Sequence, residues 1–276
     1  MIAPASTTLK CELYNDSFQN WKSYGIPKAQ LLIADIPYNI QDGFAYGSSP
    51  EWYKDGDNKN GESDKAKTNF FYADGYFRIP EFMFFCSRML KKEPKAKNEA
   101  PCMIVFCAFQ QIQEVIEEAK KNELKKYIPL VFVKPSSPQV LKANMKIVGA
   151  TEYAVVLYRD KLPKFRNNNQ MIKNWFPWLR DGANIPKLHS TQKPIMVLKR
   201  LIEIFTDVGD VVIDPCAGSG STLRAAKELG RNAYGFEISK EFYNAAQERM
   251  LSESCSDGYM QIDGQISIFD GLEGIG

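Results

Sequence analysis

One stretch of the chain, residues 211–239, restricts the fold more than any other part of the sequence. An apolar run ends in Asp214, a turn with Gly218 and Gly220 follows, and a helical pattern then leads to a second apolar run that ends at Glu237. The glycines let backbone amides approach a ligand closely, and an acid after the second strand can accept hydrogen bonds from both hydroxyls of a ribose. The stretch therefore predicts a nucleoside-cofactor site; a glycine turn without a ligand is the alternative.

Further apolar runs and helical patterns extend this arrangement over most of the chain. Buried strands are predicted at residues 31–34, 103–106, 130–133, 153–158, 211–213 and 233–236, and helices at 110–126, 194–205, 222–228 and 240–250. Strands that alternate with helices indicate an open, largely parallel α/β sheet with helices on both faces. We expect one catalytic domain over residues 1–250 and an acidic, flexible tail over residues 251–276.

Two segments do not fit the alternation. Residues 42–74 are rich in Gly, Asp, Asn and Ser and are too long for an ordinary connection, so they predict a mobile functional loop, with an inert insertion as the alternative. Residues 159–188 are polar and basic, with aromatic residues near their middle. They overlap a basic stretch, residues 120–187, that has fourteen Lys or Arg and four Asp or Glu. Such a stretch suits contact with phosphates, although a solvated lysine-rich face explains the same excess.

Composition excludes several classes of site. The chain has a single histidine, so a site that needs two imidazoles cannot form. Its six cysteines include no C-x-x-C pair, which argues against a zinc framework and predicts reduced thiols. The first residues lack a signal-peptide pattern, and no apolar run approaches the ~18 residues of a membrane span. We therefore expect a soluble, cytoplasmic protein without a metal site.

Two shorter motifs complete the pattern. Asp35-Ile36-Pro37-Tyr38 follows a buried strand and suits recognition of a planar base that carries an amine, although a turn with a capping Asp is the alternative. The segment 189–194, His-Ser-Thr-Gln-Lys-Pro, precedes a helix that leads to the glycine strand. A lone histidine at a helix start is usually an ordinary capping or surface residue, but its position one helix away from the glycine loop favours a functional role.

Together these motifs resemble those of the amino-methylating DNA methyltransferases of the beta permutation class. The sequence D-I-P-Y is similar to the catalytic D-P-P-Y of that family, and H-S-T-Q-K-P is similar to its H-P-T-Q-K-P segment. The glycine loop D-P-C-A-G-S-G-S-T resembles the cofactor loop D-P-F-x-G-S-G-T-T, and G-F-E-I resembles G-x-E-x. The resemblance covers roughly residues 11–250, except for the segments 42–74 and 159–188.

The resemblance implies a Rossmann-like methyltransferase fold with circularly permuted motifs and S-adenosylmethionine as cofactor. The implied cofactor-binding residues are Asn15, Asp16, Asp35, His189, Thr191, Lys193, Pro194, Asp214, Pro215, Ala217, Gly218, Ser219, Gly220, Ser221, Thr222, Glu237 and Ile238. The implied catalytic residues are Asp35, Ile36, Pro37 and Tyr38. In the family, the carboxylate and the carbonyl of the second residue accept hydrogen bonds from the target amine, and the tyrosine stacks on a flipped base.

The function implied is methyl transfer to the N6 amine of adenine in double-stranded DNA. Cytosine-N4 methylation, a methyltransferase of the same fold that acts on RNA or protein, a non-catalytic DNA-binding relative and a NAD-type binding domain remain as alternatives. Phosphate contacts are predicted for basic residues of the central stretch, namely Lys134, Lys164, Arg166, Lys173 and Arg180. We expect residues 159–188 to serve as a short target-recognition segment.

The tail suggests a protein partner. Residues 265–269, Gln-Ile-Ser-Ile-Phe, resemble the Q-L-S/D-L-F peptide with which many bacterial proteins bind the replication sliding clamp. Gln265, Ile268 and Phe269 are the predicted clamp contacts, and an apolar end that packs back on the sheet is the alternative. The family resemblance leaves monomer and homodimer open, and it places the protein in the cytoplasm of a bacterium or a phage-infected cell, associated with the nucleoid.

Overall fold

A twisted sheet forms the centre of the molecule. The structure, a computed structural model, describes residues 9–38, 77–135, 140–142, 147–182, 184–189 and 191–252. The strands of the main sheet are β1 (Cys11–Tyr14), β2 (Leu31–Asp35), β3 (Cys102–Cys107), β4 (Lys126–Val133), β7 (Thr151–Tyr158), β8 (Trp175–Pro177), β9 (Val211–Asp214) and β10 (Asn232–Phe236). A separate pair is formed by β5 (Val140–Lys142) and β6 (Ile147–Val148).

Strand direction decides where the polar residues meet. The order in the main sheet is β1-β10-β9-β2-β3-β7-β4-β8. The first five strands of this order are parallel, β7 runs antiparallel to both of its neighbours, and β8 is again parallel to β4. The start of β7 therefore lies at the same edge of the sheet as the carboxyl ends of the five parallel strands. The prediction of a largely parallel α/β sheet is confirmed.

Helices cover both faces of this sheet. They are α1 (Ile79–Met89), α2 (Ile112–Lys121), α3 (Ile195–Phe205), α4 (Ser221–Glu228) and α5 (Lys240–Ala245), which continues as a π-helical turn over Ala246–Met250. The core divides accordingly, because alternate strand residues face opposite sides. Leu31 and Ile33 of β2 pack in the cluster that contains α3 and α4, whereas Leu32 and Ala34 pack with α1 and α2. Among the described residues, no helix is long and apolar enough to cross a membrane.

The main differences from the sequence prediction lie at element ends and in short elements. The helix predicted at residues 110–126 ends at Lys121, because Glu123 adopts a positive φ of 70° and the amide of Leu124 turns back to bond the carbonyl of Ala119. β4 then starts at Lys126, where it pairs with Tyr158 of β7. The sequence patterns do not predict strands β1 and β8 or helix α1. The predicted loop at residues 42–74 and nearly all of the tail lie outside the described residues.

The segment 159–188 is attached to the body of the protein by ion pairs. The ammonium group of Lys164 lies 2.6 Å from Asp207 and 2.7 Å from Asp210, and only 9% of its side chain is exposed. Arg166 donates hydrogen bonds of 2.8 Å to Asp207 and to Glu99. The two cations thus bind carboxylates from two places in the chain: the loop that follows α3 and the segment that precedes β3. This cluster fixes the start of the segment against the sheet.

The cluster supplies partners for two cations that the sequence interpretation assigned to phosphates. The sequence predicts phosphate contacts for Lys164 and Arg166 because both contribute to a basic stretch. In the structure their charges are balanced within the protein, and Lys164 is buried. A count of charges along the chain misses this pairing because the partner acids, Glu99, Asp207 and Asp210, lie outside the basic stretch. Both cations therefore have carboxylate partners within the protein, and their contact with phosphates stays an untested prediction.

Replacement of Lys164 by Met should destabilise the fold without changing how DNA binding depends on salt. We expect a loss of roughly 3 kcal/mol in the free energy of unfolding, since the aspartates lose a buried partner. Urea denaturation measures this loss. Lys173→Met is the matched control for stability, because Lys173 is an exposed lysine of the same segment and its loss should leave the free energy of unfolding nearly unchanged. A Lys164→Met variant that is as stable as the wild type and has a shallower salt dependence would restore the phosphate-contact interpretation.

Candidate active site

Three acidic side chains meet at the carboxyl edge of the parallel strands. Asp35 is the last residue of β2, Asp214 is the last residue of β9, and Glu237 directly follows β10. These strands are neighbours in the sheet, in the order β10-β9-β2. The tetrapeptide 35–38 and the glycine loop, residues 214–220, are thus brought to one edge although they lie far apart in the chain.

The glycine loop packs closely on the strands below it. Gly218 and Gly220 have positive φ values of 50° and 76°, a conformation that other residues rarely adopt. A Cβ atom on Gly235 of β10 would lie 2.7 Å from Leu223 of α4 and 3.1 Å from Ala217. The loop and the helix start can therefore lie directly against β10. Small or buried residues of this region include Pro215, Ala217, Ser219, Ser221 and Thr222.

Glu237 is bound by the backbone on both oxygens. Its Oε2 accepts a hydrogen bond of 2.8 Å from the amide of Gly218, and its Oε1 accepts one of 2.6 Å from the amide of Ser239. Burial raises the pKa of this carboxyl group, while the two amides act in the opposite direction. Each carboxylate oxygen can accept a second hydrogen bond. The residue is thus oriented beside the glycine loop and retains capacity to accept hydroxyl protons.

Asp214 is hydrogen-bonded to the backbone of the glycine loop. It is buried, and its Oδ1 accepts a hydrogen bond of 2.9 Å from the amide of Cys216. Burial raises the pKa of Asp214 to about 7, although the hydrogen bonds from Thr222 and Cys216 lower it. Asp214 therefore orients the loop backbone.

The residues after β1 lie beside Glu237. Asn15 donates a hydrogen bond of 2.9 Å from Nδ2 to the carbonyl of Glu237. Asp16 accepts hydrogen bonds from the hydroxyl of Tyr24 at 2.6 Å and from Asn20 at 2.8 Å. Asn15 thereby connects β1 to the end of β10, whereas the carboxylate of Asp16 organises its own turn. The exposed side chain of Ile238 follows Glu237.

The segment before α3 divides into two parts. The ring of His189 lies 4.8 Å from the ring of Phe242, and its Nδ1 accepts a hydrogen bond from the amide of Thr191. Burial lowers the pKa of His189, and the charge of Lys193 adds to this effect. Lys193 and Pro194 are buried, and the ammonium group of Lys193 turns toward the tetrapeptide. The segment therefore contacts α5 through His189 and the tetrapeptide through Lys193.

The tetrapeptide is fixed by its backbone. The side chain of Ile36 is 2% exposed, and its amide donates to the carbonyl of Phe106 at 3.1 Å. The carbonyl of Pro37 accepts a hydrogen bond of 3.0 Å from Nε2 of Gln111, a residue that the sequence interpretation missed. Since the Ile36 side chain packs in the core, only its backbone is available for contact with a substrate. An isoleucine at this position is thus compatible with the family pattern.

Charged side chains and a tyrosine hydroxyl surround Asp35. Nζ of Lys193 lies 2.5 Å from Asp35 Oδ2 and 3.7 Å from Glu152 Oε2, and Nζ of Lys134 lies 2.5 Å from Glu152 Oε1. The hydroxyl of Tyr38 lies 3.1 Å from Glu152 and 3.5 Å from Asp35. Burial opposes ionisation of Glu152, but Lys193 and Lys134 lower its pKa overall. The group is therefore a compact network of ion pairs.

Glu152 is a site residue that the sequence interpretation missed. It is the second residue of β7, and the sequence contains no motif around it. An acid at the start of an apolar strand was the available signal, but the strand's direction was needed to place it. Because β7 is antiparallel to its neighbours, its start lies beside the end of β2.

The remaining predicted contacts are dispersed. Lys134 belongs to the network around Asp35, whereas Lys173 and Arg180 are exposed on the segment 159–188. Trp178 of this segment lies near the network, with Lys134 and Lys193 at 5.3 and 5.9 Å from its ring. The clamp residues Gln265, Ile268 and Phe269 lie outside the described residues, so clamp binding stays a prediction, as does a homodimer.

Comparison with known proteins identifies the family. The chain matches the family described as DNA methylase, N6_N4_Mtase, over residues 29–248. It is 28% identical over 261 residues to the DNA adenine methyltransferase YhdJ of Escherichia coli strain K12, with 87% of this chain and 82% of that protein covered. It is 42% identical over 254 residues to the type II methyltransferase M.HinfI of Haemophilus influenzae, with 86% and 67% covered.

A solved structure shows the shared fold. The crystal structure of the M1.HpyAVI–SAM complex is similar to this structure with a TM-score of 0.60 and 20% sequence identity, and the match covers 87% of this chain and 98% of that one. The predicted Rossmann-like methyltransferase fold is thereby confirmed. The family match spans both the tetrapeptide and the glycine loop, and it favours a DNA methyltransferase over a NAD-type binding domain and over an enzyme that acts on RNA or protein. This chain belongs to the DNA methylases of the N6-adenine and N4-cytosine type, which use S-adenosylmethionine as methyl donor.

Proposed function

We propose that this DNA methyltransferase transfers a methyl group to the exocyclic N6 amine of adenine. The observation that carries the proposal is the aspartate at the first position of the tetrapeptide, Asp35, at the end of β2 beside the cofactor loop. Serine is the usual residue there in the cytosine-N4 members that the sequence resembles. The relative from Escherichia coli that matches 87% of this chain is, by its name, an adenine methyltransferase.

The chemistry follows from the low reactivity of an aromatic amine. Its lone pair is delocalised into the ring, so the enzyme must favour a pyramidal nitrogen. The carboxylate of Asp35 and the carbonyl of Ile36 accept hydrogen bonds from the two N–H groups of the amine. These hydrogen bonds localise the lone pair on nitrogen and stabilise the positive charge that develops there. The side chain of Tyr38 stacks on the base after it leaves the duplex. The surplus proton leaves the nitrogen along the hydrogen bond to Asp35, whose side chain is partly exposed.

S-Adenosylmethionine supplies the methyl group as an electrophile bonded to sulfur. The glycine loop suits this cofactor, because its backbone lies close to β10. The loop also lacks the lysine with which a P-loop binds a triphosphate. Glu237 would accept hydrogen bonds from the ribose hydroxyls. Asn15, which donates a hydrogen bond to the backbone carbonyl of Glu237, would help to hold that residue in place. The loop residues 214–222 would border the cofactor. Asp16, His189 and Thr191 would contact it from the flanking turns.

Double-stranded DNA is the proposed substrate, and exposed cations of the segment 159–188 would contact its phosphates. Lys173 and Arg180 are exposed on the segment 159–188, whose start is anchored by the cluster around Lys164. An anchored segment with exposed cations suits contact with phosphates at a fixed distance from Asp35. Each phosphate contact adds ~0.9 to the log–log slope of affinity against salt concentration. We propose these two residues as the phosphate contacts of this segment.

The base specificity has a direct test. DNA treated with the enzyme and S-adenosylmethionine is digested to nucleosides, and mass spectrometry identifies the product. We expect N6-methyldeoxyadenosine. N4-methyldeoxycytidine as the main product would reject adenine specificity and leave the family assignment intact.

Replacement of Asp35 by Ala should abolish most methyl transfer and preserve cofactor binding. The loss of a charged acceptor at the reacting amine should lower the single-turnover rate by roughly 10² to 10³-fold. Transfer of tritium from labelled cofactor to DNA measures the rate. Asp160→Ala, at an exposed aspartate, is the control. Near-normal turnover of Asp35→Ala would show that the tetrapeptide is not the catalytic site.

Replacement of Glu237 by Ala should act on cofactor affinity first. Loss of hydrogen bonds to a charged acceptor should weaken S-adenosylmethionine binding by about 1.5 to 3 kcal/mol, as measured by calorimetry. Glu241→Ala is a matched control, because Glu241 is an exposed acid four residues away. Unchanged affinity in the Glu237 variant would place the ribose elsewhere.

A further inference from the structure

Glu152 is a largely buried carboxylate that none of the catalytic motifs accounts for. Only 18% of its side chain is exposed, and it lies within 3.1 Å of the Tyr38 hydroxyl and 2.5 Å of Lys134. Its second neighbouring cation is Lys193, at 3.7 Å. Burial of several charges at one place costs free energy, and an apolar cluster of the same volume often gives more stability. The position of this group beside Asp35 therefore points to a role in the reaction.

The charges of the network balance. Asp35 and Glu152 are the two anions, and Lys134 and Lys193 are the two cations. Lys193, whose side chain is 7% exposed, touches the same carboxylate that must accept a proton of the target amine. Positive charge grows on the amine nitrogen as the methyl group arrives, so an uncompensated ammonium group on Asp35 would oppose the reaction. Glu152, 3.7 Å from Lys193, is a second carboxylate beside this ammonium group and offsets its charge.

The contact with Tyr38 gives Glu152 a second effect on the same step. The Tyr38 hydroxyl is 3.1 Å from Glu152, whereas its ring lies 5.8 Å from the ammonium group of Lys193. Both ends of the tyrosine side chain thus face members of the network. A ring that is held in this way loses less freedom when a base stacks on it.

We propose that Glu152 is a positioning residue for methyl transfer, which balances the charge of Lys193 and orients Tyr38 so that Asp35 can stabilise the target amine. In that step, the nitrogen lone pair forms the new N–C bond, the electrons of the S–C bond move to sulfur, and one proton leaves nitrogen through the hydrogen bond to Asp35. Glu152 forms no covalent bond and does not touch the base. The inference rests on the proposed catalytic role of Asp35.

Glu152→Gln keeps the size of the side chain and removes its charge. At saturating DNA and S-adenosylmethionine, we expect the single-turnover rate to fall by about 10- to 100-fold, the scale for a unit charge roughly 6 to 12 Å from the reacting nitrogen at an effective dielectric constant of about 20. Cofactor affinity should stay within about twofold of wild type, because Glu152 lies outside the glycine loop. Glu118→Gln, which removes a carboxylate paired with Lys121 on α2, is the control and should keep the full rate.

A double variant separates charge balance from a structural role. Glu152→Gln leaves one surplus positive charge in the network, and Lys134→Gln removes one positive charge. The variant that carries both substitutions should therefore react several-fold faster than Glu152→Gln alone. A purely structural role predicts the opposite, because the second substitution removes a further contact.

Two results would overturn the proposal: a single-turnover rate of Glu152→Gln within twofold of wild type, or a double variant no faster than Glu152→Gln. The Asp35→Ala variant keeps this outcome apart from failure of the proposed site. Full activity of Asp35→Ala removes the site itself, whereas an inactive Asp35→Ala together with a fully active Glu152→Gln removes only the role of Glu152.

Discussion

The parallel direction of five adjacent strands is the constraint on which the site depends. Parallel strands end at the same edge of a sheet, and ligands of open α/β sheets bind outside the carboxyl ends. In this protein the ends of β2, β9 and β10 supply Asp35, Asp214 and Glu237. The order of the strands keeps these acids apart, because Glu237 contacts the glycine loop after β9, whereas Asp35 at the end of β2 begins the tetrapeptide. The proposed cofactor and substrate sites therefore lie side by side.

The reversed strand β7 adds a different kind of group to this edge. Its start, rather than its end, lies beside the tetrapeptide, and Glu152 enters the network there. Lys134 arrives from the end of β4, and Lys193 arrives from the turn before α3. Three distant segments thus meet around Asp35. Such convergence of ionisable groups is typical of sites where charge changes during a reaction.

The segment 159–188 packs against the same sheet and lies near the network around Asp35. Its first residues are bound by the ion-pair cluster of Lys164, and its strand β8 pairs in parallel with β4. Trp178 then lies close to the ammonium groups of Lys134 and Lys193. The segment is therefore not an appended loop. Its anchored start and its contact with the catalytic edge hold the exposed cations at a defined place relative to Asp35.

The sequence by itself determined the class of fold, the tetrapeptide, the glycine loop and the family, because each depends on residues that are neighbours in the chain. The buried runs had the length and pattern of strands, and Gly218 and Gly220 indicated the turn. Only the tertiary structure decided which charged residues face one another. Lys164 belongs to a basic stretch of the sequence, but the fold brings Asp210 against it, and Glu152 reaches the network around Asp35 only because β7 is antiparallel to its neighbours. Charge pairing acts through space over a few Å, and one-dimensional spacing does not encode those distances.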